Sequence, residues 1–231
     1  MTGSPVFDPL RRIAGDVVQS AWDHVQRLGT IGPRHRRARA FRSFGAGSAI
    51  CFPVTALYGE RYIRLGSETI IGPHVTLSAG VSPDHVLDRE VVVSIGDRCL
   101  IGRGSGIVAH ESVEIGDDVF TGHHVYVTDA NHGYADVDLP IGKQFAPPRP
   151  VSIGAGSWLG HGTIVLPGST IGRHVVVGAG AVVTGTLPDF TVAVGNPARV
   201  IRRYVTGRGW IDVAGTADDQ PPTAGARDGD G

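Results

Sequence analysis

The sequence predicts an all-β fold: a solenoid of short parallel strands, preceded by one amphipathic α-helix and interrupted by one long extruded loop. Three observations carry this. Glycine supplies 34 of 231 residues, about twice the ~7% usual in soluble domains, without the every-third-residue spacing of collagen. Aliphatic residues recur in steps of six: Ile153, Leu159, Val165, Ile171, Val177 and Val183 form one unbroken series, and Leu65, Ile71, Leu77 and Ile95, Ile101, Ile107 form two more. A glycine follows most of these aliphatics, and a small or branched residue stands two positions before, as at Cys99, Ser105, Ser157, Thr163 and Ala181.

In an extended strand the side chains alternate between faces. The small residue and the aliphatic two positions later therefore share a face. The Gly-x-x that follows reads as a corner, where a positive φ costs glycine least. Six residues make one flat wall and one bend, and three bends close a coil of about 18 residues. Coils stacked ~4.8 Å apart bury a column of aliphatics that no single coil could bury. A β-sandwich with regular turns would not require so constant a step.

The other elements follow in chain order. Asp8-Pro9 reads as a helix cap followed by proline in the first turn. Leu10, Ile13, Val17, Val18, Trp22, Val25 and Leu28 then fall on one helical face, and Gly29 suits the stop. This helix, 9–28, is expected to pack on the coils or on a neighbouring subunit. Residues 34–42 hold five arginines and read as a solvated linker, with attraction of an acidic or phosphorylated acceptor as the alternative. The chain thus divides into a helix and basic linker (1–45), the coils (46–204) and a Gly/Asp/Ala/Pro-rich tail (205–231) expected to be disordered. Insertions at 83–94 and 133–152 break the period. A long loop on a solenoid is expected to carry function.

Composition excludes several classes. Lys plus Arg is 21 and Asp plus Glu is 22, a net charge of -1, so a globally basic nucleic-acid binder is not expected. No apolar run reaches the length of a membrane span. Cys51 and Cys99 lie far apart without a C-x-x-C spacing, which supports neither a disulfide framework nor a zinc knuckle. No secretory signal is visible in Met1 to Leu10, and a cytoplasmic location is the expectation.

His132 ends a coil where the longer insertion begins, so its ring can project from a rigid wall beneath a loop. An imidazole, with an unperturbed pKa of ~6.5, can accept a proton near neutrality. His132 is therefore the candidate general base. Asp129 reads as an Asx corner, with orientation of His132 as the alternative. His123 and His124, on the preceding corner, read as packing residues between subunits.

Several segments are more specific than the hexads. They are Asn131-His132-Gly133-Tyr134, Pro140-Ile141 and Gln144, then Ser157-Trp158-Leu159-Gly160, Gly178-Ala179-Gly180-Ala181-Val182-Val183-Thr184, and Gly195-Asn196-Pro197-Ala198-Arg199-Val200-Ile201-Arg202. Together they resemble the sugar and polysaccharide O-acetyltransferase branch of the hexapeptide-repeat acyltransferase family, which includes maltose and galactoside acetyltransferases. The resemblance spans roughly residues 40 to 204. It implies a left-handed parallel β-helix, an exception to the right-handed rule for parallel crossovers, and a homotrimer with sites between subunits. It also implies acetyl-CoA as co-substrate, no metal, and transfer of the acetyl group to a hydroxyl of a sugar or glycan precursor in a ternary complex, with His132 as base. No Ser or Cys stands in a recognisable nucleophile-base arrangement, which agrees with direct attack.

The same resemblance implies a donor site. The His161 backbone N–H would meet the oxyanion, and the Ala179 backbone would follow the pantetheine arm. Trp158 would stand at the cofactor mouth or in a subunit contact. Thr184 and Gly185 would lie near the adenosine end, and Arg199 and Arg202 at its phosphates. There are departures. Thr184-Gly185 stands where family members often have Thr-Lys, and Gly102 aligns with the acceptor-contacting asparagine of galactoside-type enzymes. Their N-terminal module is not recognisable in residues 1–40. The acceptor is left open. Two other readings compete: a zinc lyase like the carbonic anhydrases of this fold, using His110, His123, His124 and His132 but lacking their paired histidines five apart, and a non-catalytic scaffold.

Overall fold

The computed structural model describes residues 9–213. The chain winds through three flat walls in strict rotation. The first wall holds Ser43–Phe44, Ile63–Leu65, Val93–Ile95, Val113–Ile115, Val151–Ile153, Thr170–Ile171 and Thr186–Leu187. The second holds Ala49–Ile50, Ile70–Ile71, Leu100–Ile101, Phe120–Thr121, Trp158–Leu159, Val176–Val177 and Thr191–Val194. The third holds Ala56–Tyr58, Thr76–Ala79, Gly106–Ala109, Tyr126–Thr128, Ile164–Val165 and Val182–Val183. Within these runs each strand pairs in parallel with the strand one coil away, so that Ile153 faces Ile171, Leu159 faces Val177 and Val165 faces Val183.

The period-two expectation holds residue by residue. Every aliphatic of the three series quoted above is at most 2% exposed, each worth ~1.5–3 kcal/mol of hydrophobic burial. The small partners two positions earlier are buried beside them. Their polar members also join the coils. Ser157 Oγ donates to the Gly172 carbonyl at 2.9 Å and accepts from the Val175 N–H at 3.0 Å. A larger polar side chain would not fit inside that corner with its groups satisfied.

The corners correct one expectation. Glycines that follow the aliphatics are not the residues with positive φ. That conformation falls two positions later, and non-glycine residues hold it at Glu68, His74, Arg98, Asp118, His124 and His174. The glycines are needed for space instead. A Cβ at Gly122 would stand 2.6 Å from the His161 nitrogen, and one at Gly160 would stand 2.5 Å from the Ala179 nitrogen. The corner is tight because the next coil's backbone crosses directly over it.

Both insertions leave the coil at the same edge, between the third and first walls. Residues 80–92 follow Thr76–Ala79, and residues 129–150 follow Tyr126–Thr128. The short corner carrying His110 lies on the coil between them.

The ends differ from expectation in three ways. The helix α1 (Pro9–Gly29) forms as read, while its Asp8 cap lies outside the described residues. Its apolar face is largely uncovered among the described residues. Ile13 and Val17 are each 61% exposed, and Trp22 meets Phe52 with ring centroids 6.5 Å apart. The basic segment is not a simple solvated linker. Arg36–Ala40 forms a 3-10 turn that buries Ala38, Phe41 packs edge-on against Phe44 at 5.2 Å, and Arg37 and Arg42 pair with Glu60 and Glu90. Finally, the tail expected to be disordered from 205 begins with structure. Arg199–Val205 and Gly209–Asp212 form an antiparallel hairpin that continues the second wall past its last parallel strand, while residues 214–231 lie outside the described part.

Candidate active site

The expectation that His132 ends a coil is corrected: the last rung stops at Thr128, and His132 lies inside the 129–150 loop, on its exposed stem. The stem is fixed from below. The Asp129 side chain is fully buried, and its carboxylate accepts the backbone N–H groups of His110, Glu111 and Ser112 at 2.7–2.8 Å. Its own carbonyl accepts from the Arg149 N–H at 2.7 Å, where the loop returns. Asp129 therefore locks the loop to the coil and does not touch the His132 ring. Neither reading of Asp129 holds as stated, since its carboxylate caps the corner 17–19 residues back in the chain instead of its own.

The ring itself is held from the far side of the loop. His132 and Phe145 form an antiparallel bridge, and His132 Nδ1 lies 3.2 Å from the Gln144 carbonyl oxygen. A carbonyl can only accept, so this bond requires the proton on Nδ1. Nε2 is then left with its lone pair free. The ring borders a cavity of about 540 Å³ on the outer face of the third wall, lined among others by Tyr58, Val108, His110, Tyr126 and Phe145. None of the lining side chains is Asp, Glu, Lys or Arg. A larger hollow of about 680 Å³, beside Arg34 and His35 at the first coil, contains neither His132 nor any residue expected to hold the cofactor.

Two of the residues expected at the donor site lie on the opposite edge of the same wall. His161 and Ala179 stand one coil apart at the corner between the second and third walls, and neither backbone N–H has an acceptor among the described residues. The next edge differs: there the Asp97, Asp117 and Asp189 carboxylates accept the N–H groups of Ser67, Asp97 and Arg173. The His161 edge is thus a short row of open donors. The rings of His123 and His124 cluster with that of His161, their centroids 6.2 and 5.5 Å away. Trp158 projects outward from the second wall, 53% exposed, above Phe120. Arg199 pairs with Val194, which overlies Gly178, so it reaches this same edge. Its Nη1 donates to the Ala198 carbonyl at 3.0 Å.

Other members of the set are placed elsewhere. Arg202 is engaged by Asp212, Nε to Oδ1 2.7 Å, and both are exposed. Thr184 and Gly185 follow the last rung of the third wall, at the edge of the loops. His132 also lies past the end of that wall, whereas His161 lies before its start. One strand's width, roughly 15–20 Å for five or six extended residues, separates the two edges. A single chain does not bring His132 and the His161 N–H onto one reacting atom. Among the described residues of one chain, no three His, Cys, Asp or Glu side chains group closely enough to hold a metal ion. No described helix is long and apolar enough to cross a membrane.

The rotation of short parallel strands through three walls, with loops extruded at one edge, defines a class: the left-handed parallel β-helices. The chain belongs to the hexapeptide-repeat acyltransferase family. The family described as "Bacterial transferase hexapeptide (six repeats)" matches residues 150–185, and "Hexapeptide repeat of succinyl-transferase" matches residues 92–128. Among relatives, WbbJ of Escherichia coli K12, named for O-acetyl transfer in lipopolysaccharide biosynthesis, is 36% identical over 150 residues, covering 62% of this chain and 76% of that one. A Mycobacterium tuberculosis H37Rv protein named as an acetyltransferase is 38% identical over 174 residues, covering 64% of this chain but only 58% of its own length. Among solved structures, a variant of the Bacillus cereus N-acyltransferase AntD in complex with dTDP and coenzyme A superposes with a TM-score of 0.62 over 76% of this chain and 90% of that one. At 19% identity that likeness concerns the fold.

Proposed function

We propose that this protein is an acetyl-CoA-dependent O-acetyltransferase acting on a hydroxyl of a sugar or glycan precursor, assembled as a homotrimer. The observation that carries the reading is the held His132 ring: Nδ1 is engaged by the Gln144 carbonyl, and Nε2 is open beside a cavity. Nε2 takes the proton of the acceptor hydroxyl as that oxygen attacks the thioester carbonyl. The tetrahedral oxyanion is met by the His161 N–H of a neighbouring subunit. Collapse expels the CoA thiolate, which recovers the proton from the imidazolium. Both products leave without an acyl-enzyme.

Further support comes from the donor edge. The open N–H groups of His161 and Ala179 suit the amide carbonyls of a pantetheine arm, and Arg199 at the same edge suits its phosphates. Arg202 would contribute only after leaving Asp212, and Thr184 and Gly185 would act from the adjacent subunit. The AntD structure contains coenzyme A, and the WbbJ relative is named as an O-acetyl transferase of lipopolysaccharide biosynthesis. A cavity without charged lining favours an uncharged hydroxyl-bearing ring, for which Tyr58 and Tyr126 offer faces.

The test is His132→Ala. Turnover, read as thiol release from acetyl-CoA with a panel of sugar acceptors, is expected to fall ~10²- to 10⁴-fold. Acetyl-CoA affinity and assembly should be unchanged. A variant that keeps its turnover would remove His132 from the role of base.

A further inference from the structure

We propose that Gln144 is the positioning residue of the site: its side-chain amide folds the loop so that its own backbone carbonyl sets the tautomer and direction of the His132 ring. The inference rests on the reading of His132 as base. Gln144 is 8% exposed, and it is the only residue between 131 and 150 that is buried. The loop is built around this one side chain. Nε2 donates to the carbonyls of Asp136 and Leu139, both at 2.7 Å, and Oε1 accepts from the Asp136 N–H at 3.1 Å. Both amide protons and one lone-pair position of oxygen are therefore used.

The same residue's main chain faces the other way. Its carbonyl accepts from the Gly133 N–H at 2.9 Å and from His132 Nδ1 at 3.2 Å. Side chain and carbonyl are one rigid link between the 136–139 turn and the imidazole. The Asp129 lock holds the loop's two ends to the coil, but nothing in it reaches the ring. Without the Gln144 amide, the turn loses its internal partner and the carbonyl loses its fixed direction. An imidazole released from that acceptor redistributes its proton between the two nitrogens and presents an Nε2–H part of the time, which cannot act as a base.

Two variants test this. Gln144→Glu keeps the shape but replaces both donors with a carboxylate oxygen aimed at two carbonyls; Gln144→Met removes the polar groups without adding charge. Each is expected to lower kcat roughly 10- to 100-fold, with the KM for acetyl-CoA and the unfolding midpoint unchanged, because the coil core does not include the loop. Nitrogen-15 NMR of the imidazole is expected to show the Nδ1–H form in the native protein and a shift toward Nε2–H in both variants. Native turnover in either variant, with His132→Ala inactive, overturns the role of Gln144 and leaves the base assigned. Lost turnover with an unchanged tautomer also overturns it, since the effect would then not pass through the ring. If His132→Ala is itself active, the underlying reading fails first.

Discussion

The Asp129 carboxylate reaches back one coil to the His110 amide, with Oδ1 2.8 Å from the nitrogen. Its second oxygen takes the Glu111 and Ser112 amides. One buried anion therefore ties the exit of the long loop to the short corner beneath it. Removing it as Asp129→Ala leaves three backbone donors without their acceptor, that of Ser112 buried and the other two part-buried. Each hydrogen bond to a charged group is worth ~1.5–3 kcal/mol, so a destabilisation of about 3 kcal/mol or more is expected. Urea unfolding measures it, and limited proteolysis should find new cleavage within 129–150. An unchanged midpoint would show that the lock is dispensable.

The separation of His132 from His161 predicts complementation between subunits. Proline at position 161 deletes the N–H together with the imidazole, and His161→Ala, which keeps the N–H, controls for the lost ring; the corner tolerates proline, because Pro73 occupies the same register two coils before His123. His161→Pro and His132→Ala are each expected to be inactive. Co-refolding the two should restore turnover well above either parent, since one neighbour then supplies the intact base and the other the intact donor. No recovery in a mixed oligomer would mean that the two edges do not share a site.

Glycines at two corners should respond oppositely. Gly160→Ala places a methyl 2.5 Å from the Ala179 nitrogen, and overpacking of this kind costs ~1–3 kcal/mol. Gly185 has nothing within 4 Å of an added Cβ and no positive φ. Gly185→Lys is expected to keep or raise the melting temperature and to lower the KM for acetyl-CoA several-fold, through attraction to the cofactor's phosphates of the order of ~1 kcal/mol. The gain should disappear with dephospho-CoA if the contact is to the 3′-phosphate.

Two exposed ion pairs set a modest pH dependence. The Arg98 guanidinium, hydrogen-bonded to Asp118, holds that carboxyl below its usual range. The Arg173 backbone N–H, with its guanidinium, does the same for Asp189. A folded-state pKa below the unfolded one stabilises above the unfolded value, ~3.9, and the effect is lost as pH falls through the folded value. Arg98→Met should therefore lower the urea midpoint at neutral pH, slightly because the pair is solvent-screened, and the difference should vanish in strong acid. A difference that persists there would point to packing instead of charge.

The core was legible because strand periodicity is local. Ile153 to Val183 face inward in the order their spacing dictates, and the broken period at the loops located both insertions. The corners were less legible. Spacing marked the glycines, but the reason for them, the crossing of backbone one coil away at His161 and Ala179, depends on a stacking distance that no local window contains. The hairpin at 199–212 was missed past Tyr204 because antiparallel strands carry no six-residue signature. Gly207 and Gly209, both with positive φ, were the available signal. At the site, the nearness of His132 to the long loop was readable from the broken period, but the loop begins at Asp129 and contains His132. Asp129's partners lie 17–19 residues back in the chain, and Gln144 acts across 12 residues, so neither role follows from neighbours in sequence.

Both loops depart from a single edge, and the rungs above and below them pair as though nothing had been inserted. Length and composition at that edge are thus free to drift without disturbing the register of any wall. A coil of this kind can exchange one acceptor for another by grafting new loops, while its melting behaviour stays with the aliphatic column. Selectivity and durability are separable traits in such a protein, and laboratory evolution confined to residues 81–90 and 133–143, which spares His132, Gln144 and the buried Val92, should be able to redirect the first without spending the second.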